Sequence, residues 1–136
     1  MAESTRELIL RVSRDIGYLV NAPAANLARR RTNLLGVVLQ DVSNPFFCEV
    51  AAHIQDAAAG AGLTTLLNDG RRDATREARA VKTFLQLRVD GLIIVSPLQD
   101  AAALAAIGRQ VATVVVGHPV PLPTPSLDFV HVDSVS

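Results

Sequence analysis

The 136-residue chain has no tryptophan, one cysteine, one methionine, one tyrosine and a single lysine. Each shortage removes a class of protein. A lone Cys48 excludes an internal disulfide framework and a cysteine-rich metal site. With aromatics at 4% and no tryptophan, any core must be aliphatic. No run approaches the ~20 apolar residues that span a bilayer, so no membrane partner is expected. The opening MAESTRELIL sets acidic residues ahead of its first apolar cluster. A secretory signal begins with a basic region instead, so a cytoplasmic location is the expectation. Of the three histidines, His53 falls in a helical pattern and His131 in a strand pattern, and no pair with His118 has metal-ligand spacing.

What is present is 49% hydrophobic and 19% charged, filled with Val, Leu, Ile and Ala. That is the profile of a globular α/β domain, and the length suits one domain rather than two. The net charge of zero conceals an asymmetry. Residues 1–31 carry six arginines against Glu3, Glu7 and Asp15, whereas the remainder is acidic by three charges. A basic arm facing a polyanion and ordinary scatter both account for this.

Along the chain, Leu8, Ile9, Val12 and Ile16 recur at helical spacing, with Gly17 at the C-cap position. One amphipathic helix cannot bury its stripe alone and needs a partner. Asn21 can cap a short second helix with Pro23 in its first turn. Arg29-Arg30-Arg31-Thr32-Asn33 reads as a linker. From Leu34 the pattern changes. Leu34–Leu39 is a continuous apolar run of strand length, as in a parallel strand covered on both faces. Ser43 or Asn44 then caps a helix that opens at Pro45; Phe47, Val50, Ala51, Ile54, Ala58 and Ala61 mark its inner face, and Gly60 and Gly62 end it. Leu63–Leu67 is a second strand. Asp73 opens a second helix with Ala78, Val81, Phe84 and Leu85 inward. Gly91–Val95 is a third strand, 100–107 a third helix, Val111–Val116 a fourth strand and Phe129–Val132 a fifth. Alternating strand and helix give an α/β fold with a doubly wound parallel sheet, whose ligands bind at the carboxyl ends of the strands.

Chemistry at that edge is sparse. The turn after the first strand, QDVSNPFF, has no glycine, so a pyrophosphate cannot approach the backbone as in G-x-G-x-x-G. The only lysine, Lys82, lies mid-helix, and no phosphate-cradling G-x-x-x-x-G-K-[ST] exists. No cofactor is expected. Ser96-Pro97 and His118-Pro119 follow strands but lack the glycines of a nucleophile elbow, so no enzyme is expected either. Binding remains. Asp41, Ser43, Asn44, Phe46, Phe47, Ser96 and His118 all fall at the ligand edge. Asp, Ser and Asn also favour turns and caps. Phe47, in phase with the inner stripe, suits the core, which leaves Phe46 as the better ligand candidate. Cys48 reads as a small helix residue without a redox role.

These residues carry a resemblance. Arg31-Thr-Asn-Leu-Leu-Gly-Val-Val-Leu-Gln-Asp-Val-Ser-Asn-Pro-Phe-Phe47 closely resembles the start of the regulatory domain of LacI/GalR transcription regulators. Leu87-Arg-Val-Asp-Gly-Leu-Ile-Ile94 matches a second motif of that family, and Val116-Gly-His-Pro119 a third. Thr5-Arg-Glu with Ile16-Gly-Tyr18 resembles the last helix of the family's DNA-binding headpiece, and Asn21 through Leu27 its hinge helix. The resemblance implies a homodimer bound to operator DNA and responsive to a sugar or similar small molecule. Residues 1–31 would be the end of headpiece and hinge, and 32–136 the N-terminal α/β subdomain of a periplasmic-binding-protein-like effector domain. Asn21, Ala24 and Leu27 would meet DNA, Leu27 as an apolar wedge in the minor groove. Arg29, Arg30 and Arg31 would meet phosphates. Asp41, Ser43, Asn44, Phe46, Phe47, Ser96 and His118 would line half of the effector cleft.

The departures are Ala25 where the family's hinge usually has Arg, and Gly117 where the pocket often has Asp. The two headpiece helices that precede the hinge region, and the second subdomain, are outside the sequence. A fragment of this kind is expected to bind operator weakly or not at all, and any sugar poorly. The alternatives are a transport-type sugar-binding protein, an α/β enzyme of flavodoxin or hydrolase kind, and a dimerisation module without DNA binding.

Overall fold

The computed structural model describes residues 7, 10, 14–17, 31–117 and 127–131. Five strands form one parallel sheet: β1 (Leu34–Leu39), β2 (Thr64–Asp69), β3 (Gly91–Val95), β4 (Thr113–Gly117) and β5 (Leu127–His131), in the order β2-β1-β3-β4-β5. Three helices connect the first four: α1 (Pro45–Gly60), α2 (Ala74–Gln86) and α3 (Ala101–Gln110). This is the doubly wound α/β architecture that the alternation of patterns predicts.

The apolar runs conceal a period of two. Leu35, Val37 and Leu39 of β1, Ile93 and Val95 of β3, and Val114 and Val116 of β4 pack with Phe47, Val50, Ala51, Ile54 and Ala58 of α1. The intervening Val38, Leu92, Ile94 and Val115 face Ala80, Val81 and Phe84 of α2 and Leu104 and Ile107 of α3. Both sheet faces are therefore covered, α1 on one and α2 with α3 on the other. Ile54 and Leu92 are fully buried, each contributing about 1.5–3 kcal/mol of transfer free energy. Ile16, in the helical stretch 14–17, is 1% exposed within the α1-face cluster.

Helix starts follow side-chain chemistry. Asn44 accepts from the Phe46 amide at 2.9 Å, so Asn44 and not Ser43 caps α1, with Pro45 at the first position. Asp73 caps α2 through Thr75 and Arg76, and Asp100 caps α3 through Ala103. One inner stripe differs from expectation. In α2 the buried residues are Glu77, Ala80, Val81 and Phe84, whereas Ala78 is exposed and Leu85 only half-buried. A phase chosen by hydrophobicity puts Glu outward; Glu77 turns inward because backbone amides wait for it there.

Close packing of α2 on the sheet depends on Gly36. A Cβ at that position would stand 2.8 Å from the Phe84 ring and 3.2 Å from Leu92 Cδ1.

Candidate effector-binding edge

The strands run in one direction, so the loops after β1, β2 and β3 gather at one edge. Sheet order reverses between β1 and β3, the place where doubly wound folds open a crevice. Here Glu77 fills it. Its carboxylate is fully buried and accepts from the Leu98 and Gln99 amides, each at 3.0 Å, and from Gln40 Nε2 at 2.5 Å. One side chain thus joins α2 to the loops after β1 and β3. Taking a carboxylate out of water is costly, and three N–H donors offset that cost. The same contact fixes the amide of Gln40, since its oxygen turned toward Glu77 would meet another acceptor. Gln40 is 2% exposed, and its Oε1 has no hydrogen-bond partner among the described residues.

Beside this network lies an open cleft of about 260 Å³, lined by Gln40, Asp41, Val42, Ser43, Asp69, Arg71 and Arg72. Its walls are the loops after β1 and β2. Asp41 Oδ1 accepts from the Ser43 hydroxyl at 2.6 Å and from the Ser43 amide at 3.0 Å. These bonds, aided by the charges of Arg72 and Arg71, hold the Asp41 carboxyl below its ordinary value of 3.8. Asp69 Oδ1 accepts from the Arg71 amide at 2.8 Å, and Oδ2 from the Val42 amide at 3.3 Å, tying one loop to the other. Gly70 sits where backbone meets side chain: a Cβ there would lie 3.0 Å from Gln40 Oε1 and 3.3 Å from the Leu39 carbonyl.

Arg71 and Arg72 hold consecutive left-handed backbone conformations, φ 53° and 57°. Each costs a non-glycine residue of order 1–3 kcal/mol. Arg72 lies with its guanidinium carbon 6.0 Å from the centroid of the Phe47 ring. Ser96, at the end of β3, is likewise left-handed at φ 52°, and its amide donates to the Val116 carbonyl at 2.6 Å.

Of the residues expected here, the cleft brings together Asp41 and Ser43. Asn44 is occupied as a cap, and Ser96 closes a turn outside the cleft lining. Phe47 is buried, 5% exposed, in the α1-face core. Phe46 packs against that same core, edge-to-face with Phe47 at 5.2 Å between centroids. His118 lies outside the described residues. Sequence reasoning missed Gln40, Asp69, Glu77, Arg71 and Arg72. The available signal was the Arg-Arg pair directly after a strand end, on the same edge as Asp41.

Among the DNA-contact candidates, Asn21, Ala24, Leu27, Arg29 and Arg30 lie outside the described residues. Arg31 stands at the opposite end of the sheet, with Nε 3.8 Å from Asp90 Oδ2. Asp90 also accepts from the Thr32 amide at 2.9 Å and the Asn33 amide at 2.8 Å. The Thr32 hydroxyl lies 2.8 Å from the Arg88 carbonyl. The segment leading into β1 is therefore fastened to the turn between α2 and β3.

Comparison with known proteins places this arrangement. Residues 32–134 match the family described as periplasmic binding proteins and sugar binding domain of LacI family. The HTH-type transcriptional regulator DegA of Bacillus subtilis (strain 168) is 27% identical over 139 residues, covering 99% of this chain and 41% of DegA. Catabolite control protein A of Priestia megaterium is 33% identical over 93 residues, covering 68% of this chain and 28% of that protein. The crystal structure of the lac repressor dimer bound to operator and the anti-inducer ONPF superposes with a TM-score of 0.61 at 25% identity, covering 82% of this chain and 39% of that one. The chain thus spans less than half the length of each. Among the described residues, no helix is long and apolar enough to cross a membrane.

Proposed function

The chain belongs to the family of periplasmic binding proteins and sugar-binding domains of LacI regulators, and from that premise we propose that it is the N-terminal effector subdomain of a DNA-binding transcription regulator. Residues 32–136 form this subdomain, and residues 1–31 supply the end of a headpiece and a hinge. The effector is a sugar or a similar small molecule, the regulator is a homodimer acting in the cytoplasm, and its function is to repress rather than to catalyse.

The observation that carries the reading is the loop edge itself. Buried Gln40 and Glu77, the cleft of Asp41, Ser43, Asp69, Arg71 and Arg72, and two strained loop ends converge at the carboxyl ends of β1, β2 and β3. Further support comes from DegA, which is named as an HTH-type transcriptional regulator. The start of the family match at residue 32 coincides with the fastening of Thr32 and Asn33 to Asp90, which supports the domain boundary.

The test uses the product of the intact gene. Purified protein is mixed with sheared genomic DNA, recovered with its bound fragments, and the fragments are sequenced with and without a panel of sugars. A few enriched promoter fragments, released or tightened by one sugar, are expected. Uniform recovery of DNA that no sugar alters would sink the proposal.

A further inference from the structure

The effector reading leaves the class of sugar open, and the cleft's charged groups bear on it. Its two carboxylates are engaged by the protein: Asp41 by Ser43, and Asp69 by the Arg71 and Val42 amides. Among the described residues neither Arg71 nor Arg72 is in an ion pair, and both reach Asp41 only through longer-range attraction. Arg72 is braced against the Phe47 ring, which holds its charge at the cleft wall. The backbone adds a second argument. Positions 71 and 72 are left-handed, a conformation glycine adopts without strain, yet both carry arginine. Strain accepted for the sake of a side chain points to use of that side chain.

Resting on the effector reading, we propose that the ligand is a phosphorylated sugar, its phosphate held between Arg71 and Arg72. Two separate guanidiniums suit a phosphate dianion, with three oxygens to share, better than a carboxylate, which one bidentate arginine satisfies. A neutral sugar brings no counter-charge to two guanidiniums that have no ion pair among the described residues.

The experiment is an amide NMR titration of the ¹⁵N-labelled 136-residue chain at constant ionic strength. The probes are glucose 6-phosphate, fructose 1-phosphate, fructose 6-phosphate and ribose 5-phosphate, the parent sugars, and inorganic phosphate alone. At least one ester is expected to shift the amides of Val42, Ser43, Arg71, Arg72 and Asp73 saturably, in the millimolar range for half a cleft. Its half-saturation should be at least tenfold below that of its parent sugar. The Arg71→Gly/Arg72→Gly variant, whose backbone glycine favours, should lose that preference, while Arg109→Ala on α3 keeps it. A parent sugar that binds as well as its ester overturns the phosphorylated class and leaves the effector reading intact. Inorganic phosphate matching the esters overturns sugar recognition at this anion site. If no probe moves these amides, the phosphorylated-sugar proposal falls, while the effector reading stands or falls with the genomic-DNA test on the intact protein.

Discussion

Replacing Glu77 by alanine tests the network that holds the ligand edge together. The carboxylate is fully buried and accepts from the Gln40 side chain and from the Leu98 and Gln99 amides. Removing it strands three donors, each costing roughly 1–3 kcal/mol if no water replaces the acceptor. Gln40, 2% exposed, bears the full cost. Leu98 is 44% exposed, so its amide and that of Gln99 recover part of their hydration. The sum is a loss of about 3 kcal/mol, within a range of about 2–4. In urea, with m of about 1.5–2 kcal/mol/M, the midpoint should fall by about 1.5–2 M at unchanged m. Glu77→Gln keeps one acceptor but sets an NH₂ among donors, so it should lose roughly half as much. Asp56→Ala, at an exposed position of α1, should leave the midpoint unmoved. A Glu77→Ala midpoint within about 0.3 M of the parent would refute the reasoning, because the loss would then be below about 0.6 kcal/mol.

Three further outcomes follow from other positions. Gly36→Ala presses a methyl to 2.8 Å from the Phe84 ring and should destabilise by about 1–3 kcal/mol in thermal melts; Phe84→Leu in the same chain should restore part of the loss. Arg88→Gly should instead stabilise, by about 0.5–1 kcal/mol in the same melts, since Arg88 sits left-handed at φ 58° just past the α2 cap. Carboxyl-carbon NMR should find Asp41 titrating below its ordinary 3.8, and Ser43→Ala should bring it back up toward that value. With the folded value depressed, the stabilisation from Asp41 is present above pH 3.8 and is lost as pH falls through the folded value; in Ser43→Ala that acid-side loss should shrink.

The sequence announced β1 and β3 to the residue, because each is a continuous apolar run between turn-forming residues, buried on both faces. β2 slipped. The expected Leu63–Leu67 became Thr64–Asp69, since Leu63 is buried against α1 before the strand begins, and the strand continues through polar Asn68 and Asp69 paired with Val38 and Leu39. The pairing there is backbone chemistry, to which hydropathy is blind. The site divided in the same way. Asp41 and Ser43 were legible from their place after β1. Asp69, Arg71 and Arg72 fall between the expected second strand and second helix and carried no assignment; only the sheet order sets the β2 loop beside the β1 loop. Glu77 was hidden by its charge: an inward acid on an amphipathic helix contradicts the binary pattern, and its three donors lie on elements distant in sequence.

Helix α2 is bolted at both ends. Near its start Glu77 grips the loops after β1 and β3, and just beyond its end the turn carrying Arg88 and Asp90 grips Thr32 and Asn33. Thirteen residues make a rod of about 20 Å, long enough to reach from one end of the strands to the other. Through this one rod the Leu98–Gln99 backbone and the Thr32–Asn33 segment that leads into β1, at opposite ends of the sheet, are joined by two sets of side-chain hydrogen bonds.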